Sequence, residues 1–219
     1  RTGTLPQSGH FNAPKSAGFK GRTKIRSPTF FIDIDGVLYS GVEGIAGGPA
    51  ALEFLRSKAA QFCLVTNTSR MSVTDIAQRL TALGYDISRQ EIIAVPEIAV
   101  EYLSHRYGTA RCFVIGDRSL DACFTQYGHQ VTREERPVDA VVIGLSRWAN
   151  FGEIDIARRL VEAGAEPVAL NRDPTCPDGS VLRIGAGPVV AALESVISRR
   201  VTLVGKPSAE FFDAALRRT

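Results

Sequence analysis

Six short apolar runs punctuate the 219 residues: TFFIDID (29–35), FCLVTN (62–67), CFVIG (112–116), AVVIG (140–144), PVAL (167–170) and VTLVGK (201–206). Segments of helical spacing lie between them. Pro49 opens one, with Leu52 and Leu55 as its apolar positions. Ser72 and Asp75 have the spacing of a capping box, after which Val73, Ile76, Ala77, Leu80 and Leu83 share one helical face and Gly84 ends it. Pro96 to Tyr107 reads as a helix closed by Gly108, and others are expected around 119–127 and from Phe151 to Ala163. Gly185-Ala186-Gly187-Pro188 lacks the third glycine of a dinucleotide fingerprint. It is expected to start a helix with Val189, Ala192, Leu193 and Val196 facing the core, and a last helix begins near Ser208 with Phe211, Phe212, Ala215 and Leu216. Strand–helix alternation of this kind predicts an α/β fold with a doubly wound parallel sheet.

Composition agrees with a globular α/β protein: 44% of residues are hydrophobic and 22% charged. No apolar run approaches the ~20 residues of a membrane helix, so no membrane partner is expected. The net charge of +3 is a property of one end. Residues 1–28 carry six basic side chains and no acid, which leaves 20 basic against 23 acidic residues and a net charge of −3 from Thr29 onward. The Gly-, Pro- and Ser-rich basic stretch reads as a flexible arm, and nucleic acid is not an expected partner. Cys63, Cys112, Cys123 and Cys176 form no C-x-x-C pair, which points to a reducing, cytoplasmic setting. His105 and His129 lack metal-ligand spacing and are expected at surface or helix-end positions.

The chemistry is concentrated where the first strand ends, at Asp33-Ile34-Asp35-Gly36. Side chains alternate along a strand, and a turn at Asp35 and Gly36 brings both carboxylates to one place. In open α/β sheets ligands bind beyond the strand C-termini. Two unpartnered acids there would be costly, so a metal or cationic partner is implied; the plainer alternative is a pair of solvated Asp residues at a turn. Thr66 and Asn67 close the second strand, followed by Thr68, Ser69 and Arg70, and Lys206 follows the last strand. An ammonium at that point suits a phosphoryl oxygen.

Taken together, DIDGVLY, TNTS and VGKPS resemble the haloacid dehalogenase superfamily of phosphohydrolases, over about Thr29 to Thr219. DGVLY, Gly47-Gly48-Pro49, Ala-Leu-Gly-Tyr and Gly205-Lys206-Pro207-Ser208 are similar to the branch of p-nitrophenylphosphatases, phosphoglycolate and pyridoxal-phosphate phosphatases, and Glu210-Phe211-Phe212 to its phospholysine/phosphohistidine pyrophosphate phosphatases. The resemblance implies a Rossmann-like core over 29–85 and 181–219, with an α/β cap inserted at 86–180. It implies that Asp33 is the nucleophile and that Asp35 is the general acid and then base. Mg²⁺ would lie between the Asp33 carboxylate and the Asp35 main-chain carbonyl. Gly36, Thr66, Asn67, Thr68 and Lys206 would hold the phosphoryl group of a small phosphorylated metabolite. Thr68 stands where the branch often has Asn. Asn171, Asp173 and Cys176 match the cap loop that selects substrate, and Cys176 replaces a His of pyridoxal-phosphate phosphatase. The branch also allows a homodimer through the cap.

The family's fourth motif, G-D-x-x-x-x-D, is expected after the Lys206 helix, and the 13 residues beyond Lys206 do not contain it. Gly116-Asp117-Arg118-Ser119-Leu120-Asp121 imitates it but precedes Lys206. Motif order follows strand order, so this segment is expected to be a decoy and the core to be truncated at its C-terminus. The expectation is an Mg²⁺-dependent phosphatase. The alternative is a non-catalytic protein that keeps the phosphate pocket and uses the cap or basic arm for a partner.

Overall fold

The strand–helix rhythm persists in three dimensions but divides between two sheets. The computed structural model describes residues 28–178 and 181–219, so the basic arm expected over 1–28 lies, Pro28 apart, outside the described residues. The first half runs β1 (Thr29–Asp33), a small hairpin of β2 (Tyr39–Ser40) and β3 (Glu43–Gly44), α1 (Gly48–Ser57), β4 (Gln61–Thr66), α2 (Val73–Ala82), β5 (Ile92–Ala94) and α3 (Val95–Tyr107). Strands pair in the order β1-β4-β5, all parallel, with Asp33 opposite Val65 and Thr66 opposite Ala94. Local chemistry places the helices. Pro49 sits in the first turn of α1, and Gly48 is required there because a Cβ would stand 2.0 Å from the Tyr85 hydroxyl. The expected capping box forms: Ser72 Oγ accepts from the Asp75 amide at 3.1 Å, and Asp75 Oδ2 accepts from the Ser72 amide at 3.3 Å.

The second half runs β6 (Arg111–Ile115), α4 (Arg118–Gln126), β7 (Gln130–Thr132), β8 (Ala140–Ile143), α5 (Phe151–Glu162), β9 (Glu166–Ala169), β10 (Thr175–Asp178), β11 (Val181–Ile184), α6 (Gly187–Glu194), β12 (Thr202–Leu203) and α7 (Ala209–Arg217). Five parallel strands pair in the order β12-β9-β8-β6-β7, while β10 and β11 form a separate antiparallel hairpin. The apolar runs are continuous rather than alternating because these strands are covered on both faces.

One helical layer serves both sheets. Cys63 and Val65 of β4, Ile98 and Leu103 of α3, Phe124 of α4, Val142 of β8, Val168 of β9 and Phe211 of α7 belong to one apolar cluster. The α3 residues Val95 to Val100 are all buried, as expected of a helix packed between two sheets. On the outer side of the first sheet, Ile34 and Leu64 pack with Leu52, Ile76, Leu80 and Tyr85. Outside the second, Val141 and Ile143 pack with Leu160, Val190 and Leu193.

Several expectations shift. Ile92–Ala94, assigned by sequence to the cap, pairs with β4 in the first sheet, and Thr202–Leu203, assigned to the core, pairs with β9 in the second. Both short segments follow their hydrogen-bond neighbours, which no linear reading reveals. The VTLVGK run contributes only two strand residues, because the chain turns at Gly205 to reach the site. The core face of α6 is carried by Val190 and Leu193; Val196 lies past the helix end and is exposed. In α7 the buried positions are Phe211, Ala214 and Ala215, with Leu216 exposed and Phe212 set edge-on to Phe31 at 5.7 Å. His129 is buried rather than superficial: its Nδ1 accepts from the Ala110 amide at 3.0 Å, and Nε2 lies 3.2 Å from Ser104 Oγ.

Candidate active site

The C-terminal ends of β1 and β4 meet the C-terminal ends of β9 and β12 at one crevice. Parallel strands all deliver their following loops to the same side, so residues far apart in sequence converge there. Asp33 ends β1. Its Oδ1 accepts from Lys206 Nζ at 2.6 Å and from the Ile34 amide at 2.9 Å. Lys206 Nζ also lies 3.2 Å from the Val65 carbonyl oxygen. These contacts use one carboxylate oxygen of Asp33; among the described residues Oδ2 has no hydrogen-bond partner, and Asp33 lines the crevice. Asp35 lies two residues on, past the strand end, and its Oδ2 accepts from Thr66 Oγ1 at 2.9 Å. That hydroxyl in turn accepts from the Thr68 amide at 2.9 Å, so Thr66 is committed to orienting Asp35 and its own loop.

Asn67 is committed as well. Its side-chain amide clamps the backbone of Lys206 from both directions: Oδ1 accepts from the Lys206 amide at 2.9 Å, and Nδ2 donates to the Lys206 carbonyl at 3.1 Å. Asn171, buried at the end of β9, donates to the Asn67 carbonyl at 3.2 Å. Gly205 makes this approach feasible, since a Cβ there would stand 1.8 Å from the Leu170 carbonyl oxygen. Lys206 is thus held at backbone and ammonium by β1 and the end of β4, two neighbouring strands of the first sheet. Gly36 has φ +80° and gives its amide to the Tyr39 carbonyl at 2.8 Å, which closes the turn that carries Asp35.

These residues face a cavity of about 550 Å³. Asp33, Asp35, Asn67, Thr68, Asn171 and Lys206 line it, as do Asp173 and Cys176 of the loop and hairpin that overhang it. Gly36, which is exposed, and Thr66, which is buried, do not line it. Burial raises the Asp173 carboxyl above its ordinary range; the Lys206 charge opposes this and that of Asp33 adds to it. Tyr39, Arg79 and Asp178 also border the cavity without having been site candidates in the sequence, as does Arg70, named there only as a follower of TNTS. Arg79 lies 4.2 Å over the Tyr39 ring and donates to the Gly41 carbonyl. The Tyr39 phenol is raised by burial, and next by the charge of Asp35 and a hydrogen bond to it. Only the position of Arg70 behind TNTS hinted at this wall.

Metal-ligand chemistry rests on few groups. The Asp33 carboxylate and the Asp35 main-chain carbonyl are hard oxygens at one strand end. Among the described residues, no group of three or more His, Cys, Asp or Glu is arranged to hold a metal ion. Such a sparse oxygen set fits a cation that retains much of its water and takes further oxygens from substrate, as Mg²⁺ does.

The imitation motif at Gly116–Asp121 sits at the end of β6 and does not line the cavity. Asp121 accepts from Arg133 Nε at 3.1 Å and Nη2 at 2.8 Å, with Arg118 at 3.3 Å. The Asp117 amide is bonded to the Leu145 carbonyl at 3.0 Å.

Comparison with known proteins agrees with this geometry. Residues 30–130 match the family model for haloacid dehalogenase-like hydrolases. An acid sugar phosphatase of Staphylococcus epidermidis is 26% identical over 178 residues, which are 81% of this chain and 68% of that protein. The 4-nitrophenylphosphatase of Thermotoga maritima superposes with a TM-score of 0.79 at 28% identity, covering 88% of this chain and 73% of that one. A glycerol phosphate phosphatase of Mycobacterium tuberculosis, solved in complex with magnesium, gives 0.77 at 29% identity, covering 87% and 57%. The fold is α/β, with a Rossmann-like core and a cap. Over residues 30–130 the chain is similar to haloacid dehalogenase-like hydrolases, and over most of its length to acid sugar phosphatases and nitrophenylphosphatases; these likenesses make it a phosphoric monoester hydrolase. No helix among the described residues is long and apolar enough to cross a membrane.

Proposed function

We propose that the protein hydrolyses a small phosphomonoester, of the size of a sugar or polyol phosphate, through a phosphorylated Asp33. The observation that carries this reading is the 2.6 Å contact between Lys206 Nζ and Asp33 Oδ1, with Asp35 held two residues away by Thr66. A nucleophilic carboxylate facing a dianionic ester needs compensation at that point, and Lys206 provides it in a partly water-excluded site where charge is worth more than in bulk water.

In the first step Asp33 Oδ2 attacks phosphorus and the ester P–O bond breaks. Asp35 gives its proton to the departing alkoxide, which leaves as an alcohol. In the second step Asp35 takes a proton from water as its oxygen attacks phosphorus. The bond to Asp33 breaks, and inorganic phosphate is released. Thr66 keeps Asp35 aimed at both leaving group and water, while Thr68 and Lys206 face the phosphoryl oxygens. Asn67 acts through Lys206, which it clamps. Mg²⁺, held by the Asp33 carboxylate and the Asp35 carbonyl, would offset the repulsion between nucleophile and substrate. Asp173 and Cys176 would meet the leaving group. A cytoplasmic setting completes the reading, supported by four unpaired thiols.

The test is transfer of labelled phosphate from substrate to protein in an acid quench, together with phosphate release from p-nitrophenyl phosphate. The label should appear in the wild type and vanish in Asp33→Asn. Turnover by Asp33→Asn within about tenfold of wild type would sink the assignment, since losing a nucleophile costs orders of magnitude.

A further inference from the structure

The charged groups around the cavity are unequally satisfied. Lys206 is bound to Asp33 and to the Val65 carbonyl. Arg79 has the Gly41 carbonyl and the Tyr39 ring. Asp178, on β10, accepts from Arg147 at 2.8 Å and from Arg183 at 2.7 Å. Arg70 differs. Among the described residues its guanidinium makes no hydrogen bond to protein; its nearest carboxylate oxygen is Asp178 Oδ1 at 3.8 Å, already held by Arg147. Yet the Arg70 side chain is only 27% exposed and borders the cavity.

A guanidinium keeps its charge in any protein and offers five donors in a planar fork. Withdrawing it from water without acceptors is unfavourable unless a ligand supplies them. The local balance agrees: one carboxylate, Asp178, faces Arg70, Arg147 and Arg183, so this rim is positive overall. Arg70 and Arg79 both act electrostatically on the Tyr39 phenol, which places a second cation on the same side. The 3.8 Å approach to Asp178 is an ion pair without a hydrogen bond, so an incoming anion can replace it at little cost.

We propose that Arg70 reads a second anionic group on the leaving portion of the substrate, a carboxylate or a second phosphate, distinct from the phosphoryl group engaged by Lys206. This rests on the phosphatase reading above and narrows its substrate class. The fork matches both anions in bidentate geometry. A cavity of about 550 Å³ has room for a leaving group of several carbons beside the phosphoryl group.

The test compares kcat/KM, by phosphate release, for matched pairs on the wild-type chain, Arg70→Gln and Arg70→Lys. The pairs are 3-phosphoglycerate against glycerol 3-phosphate, and fructose 1,6-bisphosphate against fructose 1-phosphate. The wild type should favour the more anionic member of at least one pair by about 10–100-fold, the range of a charge-assisted hydrogen-bond pair. Which pair responds identifies the anion. Arg70→Gln should abolish the ratio, mainly through KM, and Arg70→Lys should restore part of it; each ratio is internal to one variant, so partial misfolding does not imitate the effect. Wild-type ratios within about threefold of unity, or ratios unchanged in Arg70→Gln, overturn the proposal. If no compound is hydrolysed the phosphatase reading fails, and calorimetric dissociation constants for the same pairs decide the anion subsite by the same criteria.

Discussion

Two strand ends in this molecule carry nearly the same chemistry in sequence and do different things in space. β1 ends in Asp33, with Asp35 two residues on, and β6 leads through Gly116 into Asp117 and then Asp121 in the first turn of α4. Both follow apolar parallel strands. At β6 the acid is consumed locally: Asp121 is paired with Arg133 and Arg118, and Arg133 also donates to the Gly116 carbonyl at 2.7 Å. At β1 the counter-charge arrives from the far end of the chain, as Lys206, and only one oxygen of Asp33 is engaged. An acid neutralised by its own segment is a structural ion pair. An acid compensated by a single distant ammonium, beside an open cavity, keeps an oxygen available for reaction.

That contrast can be broken by substitution. The largest effect is expected for Asp33→Asn, which should lower phosphate release by about 10³-fold or more. The matched change Asp121→Asn should leave kcat/KM unchanged; a comparable loss there would erase the distinction. Next, Asp35→Asn should cost about 10²–10⁴-fold in kcat, the span of general acid–base catalysis, with a smaller effect on a substrate whose leaving group needs no proton, such as p-nitrophenyl phosphate. Gly205→Ala tests the long-range half of the comparison. Its Cβ meets the Leu170 carbonyl oxygen at 1.8 Å, so the loop must shift; about 1–3 kcal/mol of stability should be lost in denaturant unfolding, with turnover falling as Lys206 is displaced. The smallest effect is expected for Arg133→Ala, about 1 kcal/mol of stability for a partly exposed pair, with turnover intact.

The thiols offer a milder check on the fold around both strand ends. Burial pushes Cys63 up to about 11 and Cys112 up to about 12; for Cys112 the charge of Asp139 adds to it. Thiolate is the reactive form, so alkylation of these two at neutral pH should be slow in the folded protein and rapid after unfolding. Fast native-state labelling at Cys63 would show that the sheet carrying Asp33 opens more readily than its packing implies.

The sequence alone places much of the cavity lining. Asp33, Asp35, Asn67, Thr68 and Lys206 stand at strand ends, and a strand end in a parallel sheet already says which side of the molecule a residue faces. Asn171, Asp173 and Cys176 were legible as a loop that meets the site. Less legible was what each group does once there. Thr66 and Asn67 read as phosphate contacts, and the sequence does not reveal that their side chains also hold Asp35 and the Lys206 backbone. Hydrogen-bond partners depend on distances of a few ångströms between segments separated by 139 residues, and no local pattern encodes them. Asp178 is not legible in the sequence, and Arg70 is legible only as a neighbour of TNTS, since the meaning of a surface-type charge lies in what it faces.

What the sequence by itself determined is the alternation of strand and helix, the helix starts at Pro49 and Ser72, and the paired acids that follow the first apolar run. These depend on local propensity, capping and periodicity, which operate within a few residues. What only the tertiary structure decided is the division into two sheets that share the α3, α4 and α7 layer, the transfer of β5 and β12 across the expected boundaries, and the choice of Asp33 over Asp121 as the acid that receives Lys206. Those outcomes depend on long-range packing and hydrogen bonding, where the energy of one contact is set by which other segment of the chain arrives to complete it.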